Sequence, residues 1–304
     1  MAAAVNKGYS AGIFGFEVGG KTGSYVTSFQ IPSLEAEQVD AGLSADFMTS
    51  KMLSNMKLGE ASWTQTISEM NAAYDWAASL WRKSVLEQDA AIVIANSNYE
   101  VQRRVDFYGC LVTGVEWKPF KASDGKTQFE MTCKFKPTTM KFVPGDKSKL
   151  QGTKGDKAKA WMTANFRVDI PGLDATSFTS AELPKVEVKQ AEEYYGHQRY
   201  PERIYSSVSF GDAKFEVAHR GQQVLTDLAI RILQDGHCDE SEESDGTVTA
   251  LDQSLKRELG TFTLKGMGLK KLELPKLEGN KEANVFSTCH WYVQDFEAQF
   301  THKA

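Results

Sequence analysis

The sequence repeats itself with an offset of 152 residues, and this repeat constrains the fold more than any other feature. Three pairs of segments keep the offset: 14–18 with 166–170, 31–35 with 183–187, and 58–63 with 210–215. Chance rarely keeps several segments in one register over such a distance. A repeat of about half of a 304-residue chain predicts two copies of one domain, each with its own core.

The later part of each copy continues the repeat with a slightly larger offset. Residues 105–117 correspond to 262–274 at an offset of 157, and 132–135 correspond to 288–291 at 156. An insertion of a few residues explains the change. The acidic stretch 237–246 is the expected place for it, because a run of charges favours a solvated loop.

A Gly- and Lys-rich segment separates the two copies. Residues 144–160 show no apolar periodicity and predict a flexible tether. The predicted domains are therefore 5–143 and 161–304, joined by 144–160.

Each copy reads as antiparallel strands with one helix. Alternating apolar residues predict strands around 12–18, 25–37 and 58–67, a hairpin around the turn 96–98, and a closing strand at 129–135. One helical face is predicted in each copy: Ile67, Met70, Tyr74, Ala77 and Trp81 in the first, and Val224, Leu225, Leu228, Ala229 and Ile232 in the second. The predicted class is mainly β (α+β), with each domain an antiparallel β-barrel or sandwich with one flanking helix.

The sequence contains no pattern typical of catalysis, metal binding or cofactor binding. None of the five histidines lies in an HxH or HExxH arrangement, and the four cysteines form no CxxC pair. We therefore expect no enzyme, no metal and no cofactor. Cys133 and Cys289 occupy equivalent positions among apolar residues, which favours buried packing. The acidic run 239–245 lacks the glycine and spacing of a calcium loop.

The net charge and the hydropathy of the chain disfavour two classes of partner. A net charge of -5 disfavours a sequence-specific nucleic-acid binder, and no apolar run approaches the roughly 20 residues that cross a bilayer. Protein partners are the remaining expectation, and no membrane insertion is expected.

One segment combines aromatic and arginine residues in a predicted loop or long hairpin. Tyr and Arg are enriched in protein interfaces. The candidate contact residues between subunits are Tyr194, Tyr195, Arg199, Tyr200 and Arg203. The alternative is a loop that packs on its own domain.

The order of strands, helix and hairpin in each half resembles the inner tail-tube proteins of contractile-tailed phages and related contractile injection systems. The blocks that carry the resemblance are 166–172, 180–187 and 262–267. The resemblance implies a β-barrel-like unit whose sheets join side by side into a six-membered ring. It also implies that such rings stack into a hollow tube within a sheath.

Because the chain carries two copies of the domain, the number of chains in one ring has to be considered. Three chains forming one ring of six domains are favoured over a six-chain ring with one domain outside. The implied partners are the chain itself, sheath and baseplate proteins, and DNA or protein cargo that is not bound sequence-specifically. The implied location is a virion tail or injection particle assembled in the bacterial cytoplasm. An initiator or adaptor at the tube end, and a two-domain ligand-binding β-barrel, remain alternatives.

Overall fold

The computed structural model describes residues 13–23, 26–43, 49–67, 71–84, 86–150, 161–196, 200–237, 239–274 and 286–300. Strands account for 59% and helices for 11% of the structure, and the strands pair antiparallel. The predicted mainly β class with flanking helices is therefore confirmed.

The first half contains these elements: β1 (Phe14–Val18), β2 (Lys21–Gly23), β3 (Val26–Gln30), β4 (Leu34–Leu43), β5 (Thr49–Leu58), β6 (Ala61–Thr66), α1 (Ala72–Ala78), β7 (Gln88–Ala95), β8 (Val101–Trp117), β9 (Phe120–Lys121), β10 (Glu130–Lys136) and β11 (Thr139–Pro144). Hydrogen bonding orders the main path as β2-β1-β7-β8-β10-β6-β3, and β11 also pairs with β8.

The second half runs through a similar series: β12 (Phe166–Asp169), β13 (Phe178–Glu182), β14 (Val186–Glu193), β15 (Glu202–Phe210), β16 (Ala213–Ala218), α2 (Gln222–Ala229), β17 (Ser244–Leu251), β18 (Glu258–Glu273), β19 (Phe286–Tyr292) and β20 (Asp295–Phe300). Its main path is β12-β17-β18-β19-β16-β13, and β20 pairs with β18. Apart from β2 and β9, the element order of the first half is thus found again.

Strand register also agrees between the halves. Trp63 in β6 lies opposite Phe29 on one side and Cys133 on the other. Their counterparts at the repeat offsets make the same pairs, because Phe215 in β16 lies opposite Ala181 and Cys289. The alternating apolar side chains of these strands therefore point into equivalent positions in both halves.

The long strands β8 and β18 each change partners at a glycine. The first part of β8 pairs with β7 and β11, and the last part pairs with β10. Gly109 lies between these parts with φ +58°, and its amide donates to Asp89 Oδ1 at 3.0 Å. Gly266 in β18 also has φ +58° and donates to Asp245 Oδ1 at 2.9 Å. A left-handed residue bends the strand so that it joins two sheets.

Replacing Gly109 by valine is expected to lower the free energy of unfolding by about 2–4 kcal/mol, because a β-branched residue is strained at positive φ. The new Cβ would also lie 2.9 Å from Thr138 Oγ1. Urea unfolding measures the change. Gly125→Ala is the control, since its Cβ would meet nothing within 4 Å. Equal midpoints for the two variants would contradict this role of Gly109.

The helices lie near their predicted positions, with three differences. Helix α1 begins after Asn71, whose Oδ1 accepts from the Tyr74 amide at 2.8 Å as an N-cap. Ile67 was expected on the helix but lies buried just after β6, and Met70 lies outside the described residues. Trp81 was also expected on the helix, but α1 ends at Ala78 and Trp81 lies buried in the turn that follows. Val224 in α2 was expected on the buried face but is half exposed. Beyond α2 the chain continues as a π-helical turn over Ile230–Gln234.

Apolar side chains of both halves form one continuous buried cluster. The expectation of two separate cores is therefore wrong, because aromatic side chains of each half contact the other directly.

Part of the predicted linker belongs to the first half. Residues 145–150 lie along the beginning of β8, where the Val101 amide donates to the Ser148 carbonyl at 2.8 Å and the Leu150 amide donates to the Tyr99 carbonyl at 2.7 Å. These residues are therefore held in place rather than forming a free tether. The rest of the predicted linker, 151–160, lies outside the described residues. Among the residues described, no helix is long and apolar enough to span a membrane.

Candidate assembly interface

The two halves are joined by strand pairing at two places, which we call the joint. In the first place β13 pairs with β9, with Ala181 opposite Phe120. In the second place β14 pairs with the last part of β8, with Val186 opposite Val115 and Glu187 opposite Gly114. Backbone hydrogen bonds therefore continue from the sheets of one half into strands of the other.

Aromatic rings of the two halves also pack against each other. The rings of Trp117 and Phe262 have centroids 5.2 Å apart, and those of Tyr74 and Phe300 are 4.6 Å apart. The ring of Trp161 lies 6.4 Å from that of Phe129 by the same measure. Such pairs each add about 0.5–1.5 kcal/mol beyond their buried area. The joint is therefore packed like a protein core.

Ion pairs surround the joint. Glu116 in β8 accepts from Lys134 at 2.8 Å and lies 3.3 Å from Lys185, which belongs to the second half. The hydrogen bond from Lys134, aided by Lys185, lowers the pKa of Glu116 below its usual value. Lys83 and Asp295 form another pair between the halves at 3.3 Å. Partly exposed pairs of this kind contribute little stability, so they chiefly fix the orientation.

The candidate contact residues lie in and around the tip of the β14–β15 hairpin, but they differ in environment. Tyr194 and Tyr195 are exposed, and the Tyr195 hydroxyl donates to Glu193 at 2.8 Å. Tyr200 is half buried, and Arg199 lies outside the described residues. For the tyrosines, contact with another subunit stays a prediction.

Arg203 has a role within the chain. Its side chain is only 2% exposed, and its Nε lies 3.2 Å from Glu192 Oε1. Its guanidinium also donates to the Pro137 carbonyl of the first half, and Lys136 of that half pairs with Glu192. Arg203 therefore anchors the hairpin on the first half. Sequence composition marked it as a contact residue but could not distinguish a contact within the chain from one between chains.

The two long hairpins have the same register, but their strands pair with different parts of the chain. Asp40 lies opposite Lys51 in β4–β5, as Glu192 lies opposite Arg203 in β14–β15. Hairpin β14–β15 lies on β8, whereas in the described residues β4 and β5 pair only with each other. Val39, Met52 and Leu53 of β4–β5 are exposed.

The chain was compared with family models, curated proteins and solved structures. No family model matches the sequence, and neither does any curated protein. The tube-terminating cap of the anti-feeding prophage has a TM-score of 0.43 and 13% identity, covering 50% of this chain and 100% of that chain. A chain of the PVC extracellular contractile injection system sheath-tube complex has a TM-score of 0.40 and 13% identity, covering 45% and 89%. Hcp1 from Flavobacterium johnsoniae has a TM-score of 0.28 and 15% identity, covering 45% and 95%.

The resemblance noted in the sequence is thus found again among solved structures. Each of these matches takes up about half of this chain and nearly all of the other.

The buried cysteines are packed and poorly ionised. Cys110, Cys133 and Cys289 are buried, and burial raises the pKa of each thiol, to about 11 for Cys289. In a Cys238→Ser variant we expect these three thiols to react with a thiol-specific dye only after unfolding, since the thiolate is the nucleophile. Rapid labelling of a native thiol at neutral pH would contradict this expectation.

The acidic stretch is only partly a loop. Residues 240–242 form a 3₁₀ turn, and strand β17 already begins at Ser244. Glu243 accepts from the Tyr292 hydroxyl at 2.7 Å, and Arg231 pairs with Glu242 at 2.5 Å. In the described ranges no group of three or more His, Cys, Asp or Glu residues could hold a metal.

Proposed function

We propose that this chain is a structural subunit of the inner tube of a contractile phage tail or related injection system. The joint is the observation that carries the proposal. Strands of the two halves pair directly there, and a ring of such units would repeat this kind of contact. The proposed origin of the two halves is a tandem duplication, supported by the shared register.

Three chains per ring follow from two units per chain if the ring has six positions. The contact within the chain is heterologous, because β8 and β9 of one unit meet β13 and β14 of the other. Heterologous contacts form rings when the rotation closes and filaments when it does not. Rings of three chains would stack into a hollow tube with sheath and baseplate partners. The acidic chain would let DNA or protein cargo pass without sequence-specific binding.

An end-specific adaptor is a second candidate, favoured by the different hairpins. Hairpin β4–β5 exposes apolar side chains, whereas Tyr194 and Tyr195 are exposed at the end of β14–β15. Two unequal hairpins suit a ring that meets different neighbours above and below. A ligand-binding barrel is disfavoured, because Phe16, Trp63 and Phe135 fill the first half and are at most 1% exposed. We propose no catalytic role.

Negative-stain electron microscopy over a concentration series, with mass photometry, tests the proposal. We expect rings or tubes with a central hole and a closed species of three times 33.8 kDa. A six-chain ring would retain the tube function and reject the three-chain count. A compact monomer at every concentration would contradict the tube proposal.

A further inference from the structure

Some exposed apolar side chains of the second half have counterparts, at the repeat offset, that are buried at the joint in the first half. Leu274 is 71% exposed, whereas its counterpart Trp117 is 6% exposed and packs on Phe262. Leu233 is 46% exposed, whereas its counterpart Trp81 is 3% exposed and packs on Phe296. At these positions the side chains of the second half are exposed, whereas their counterparts in the first half contact the other half at the joint.

The free end of the first half shows the complementary pattern. Leu34 is 45% exposed, whereas its counterpart Val186 is 0% exposed at the joint. Ile31 is exposed and its counterpart Leu183 is buried. Phe142 in β11 is also exposed, and its counterpart is the buried Ala298 in β20. Single exposed apolar side chains are common at protein surfaces, but the counterparts of these three are all buried in the second half.

We name these two surfaces by their place in the chain. The second-half face comprises Leu233, Leu272 and Leu274 with Lys271. The first-half face comprises Ile31, Leu34 and Phe142 with Glu35.

The strand edges at these faces are complementary in direction and charge. Lys271 and Leu272 in β18 pair with β19 on one edge, and the other edge has no partner in the described residues. Their counterparts Gly114 and Val115 pair on that other edge with β14. Applied to a second copy, the register of the joint places Leu34 opposite Leu272 and Glu35 opposite Lys271. Opposite charges in directly facing strand positions are favourable.

We infer that the second-half face of one chain binds the first-half face of another copy in this register, so that β4 extends β18 as β14 extends β8. The inference rests on the proposed function in one respect: both require the chain to bind other copies of itself. The contacts that Lys271 and Glu35 make within the chain do not prevent them from pairing with another copy. Lys271 lies 2.5 Å from Glu273, and Glu35 accepts from Ser33 at 3.0 Å, but these groups are exposed and such contacts are weak.

Disulfide trapping in the full chain tests the register. Glu35→Cys and Lys271→Cys are made separately in a Cys238→Ser background, mixed and oxidised. Facing residues of an antiparallel pair have Cα atoms about 4.5–5.5 Å apart, within the range of a disulfide. We expect at least tenfold more crosslinked dimer from the mixture than from either variant alone. Lys51→Cys mixed with Lys271→Cys is the off-register control and should not crosslink.

The outcomes separate this inference from the tube proposal. Rings without the Glu35–Lys271 crosslink would overturn the register and leave the tube function standing. Crosslinking without rings would support the interface and count against the tube. Glu35→Cys chains that crosslink among themselves as readily as in the mixture would overturn the head-to-tail arrangement, and the absence of both rings and crosslink would overturn both.

A second variant checks the apolar part of the interface. Leu274→Asp is expected to weaken self-association at least tenfold in sedimentation velocity. Leu255→Asp is the matched control, because Leu255 and its counterpart Tyr99 are both exposed. They lie just before β18 and β8, whereas Leu274 and Trp117 lie at the other ends of those strands. The control should stay within twofold of the parent chain. Equal assembly of Leu274→Asp and the parent would overturn the inference.

Discussion

Replacing Trp117 by alanine is expected to lower the free energy of unfolding by about 3–5 kcal/mol, the usual cost of removing a buried large aromatic side chain. Trp117 lies at the end of β8, where its ring packs against Trp81 and Phe129 of its own half and Phe262 and Phe296 of the other. The substitution would leave a cavity between the halves, so both halves should lose stability together. Chemical denaturation followed by far-ultraviolet circular dichroism measures the loss.

The control for Trp117 is Tyr108→Ala, which removes an exposed aromatic ring from the same strand. We expect that control to change the free energy of unfolding by less than about 1 kcal/mol. A loss at Trp117 no greater than at Tyr108 would mean that the joint contributes little to stability. Two separate transitions in the parent chain would show that the halves unfold independently.

Much of the fold could be predicted from the sequence because the repeat and the strand alternation are local patterns. The correspondence of Cys133 with Cys289 predicted equivalent strands, and the structure pairs them with Trp63 and Phe215 in the same register. The partner switch at Gly109 and Gly266 was not predicted. Its sequence signal was the recurrence of an aspartate, Asp89 and Asp245, and a glycine at the repeat offset.

The joint could not be predicted because it depends on pairing between distant strands. The pairing of Val186 with Val115 joins residues whose periodicity only shows that each lies in a strand. The apolar pattern likewise cannot say which positions are covered. It placed Val224 on a buried face although the side chain is half exposed, because apolar spacing does not reveal whether a neighbour lies against that face.

The β14–β15 hairpin provides the second large expected effect, through Arg203. The variant Arg203→Met keeps an apolar stem but removes the guanidinium that serves Glu192 and the Pro137 carbonyl. We expect the free energy of unfolding to fall by about 2–3 kcal/mol, since an acceptor and a carboxylate each lose a buried partner. The cost stays below that of an isolated charge because Lys136 still pairs with Glu192. Urea unfolding at neutral pH measures it.

Arg220→Met is the matched control for Arg203. Arg220 is mostly exposed and lies 4.0 Å from Asp174, so its loss should cost less than about 1 kcal/mol. Similar losses at Arg203 and Arg220 would contradict the anchoring role of Arg203.

The contribution of Glu192 to the stability of the same contact should depend on pH. Hydrogen bonds from Lys136 and then Arg203 lower the pKa of Glu192 below its ordinary value of 4.5. A carboxyl group with a lowered pKa in the folded state stabilises the fold above its unfolded pKa, and this contribution is lost as the pH falls through the folded pKa. In Glu192→Gln the contribution is absent at every pH, so the parent and the variant should differ in stability at pH 7 and converge under acid. A constant difference from pH 7 to below the folded pKa would show that ionisation of Glu192 does not hold the hairpin on the first half.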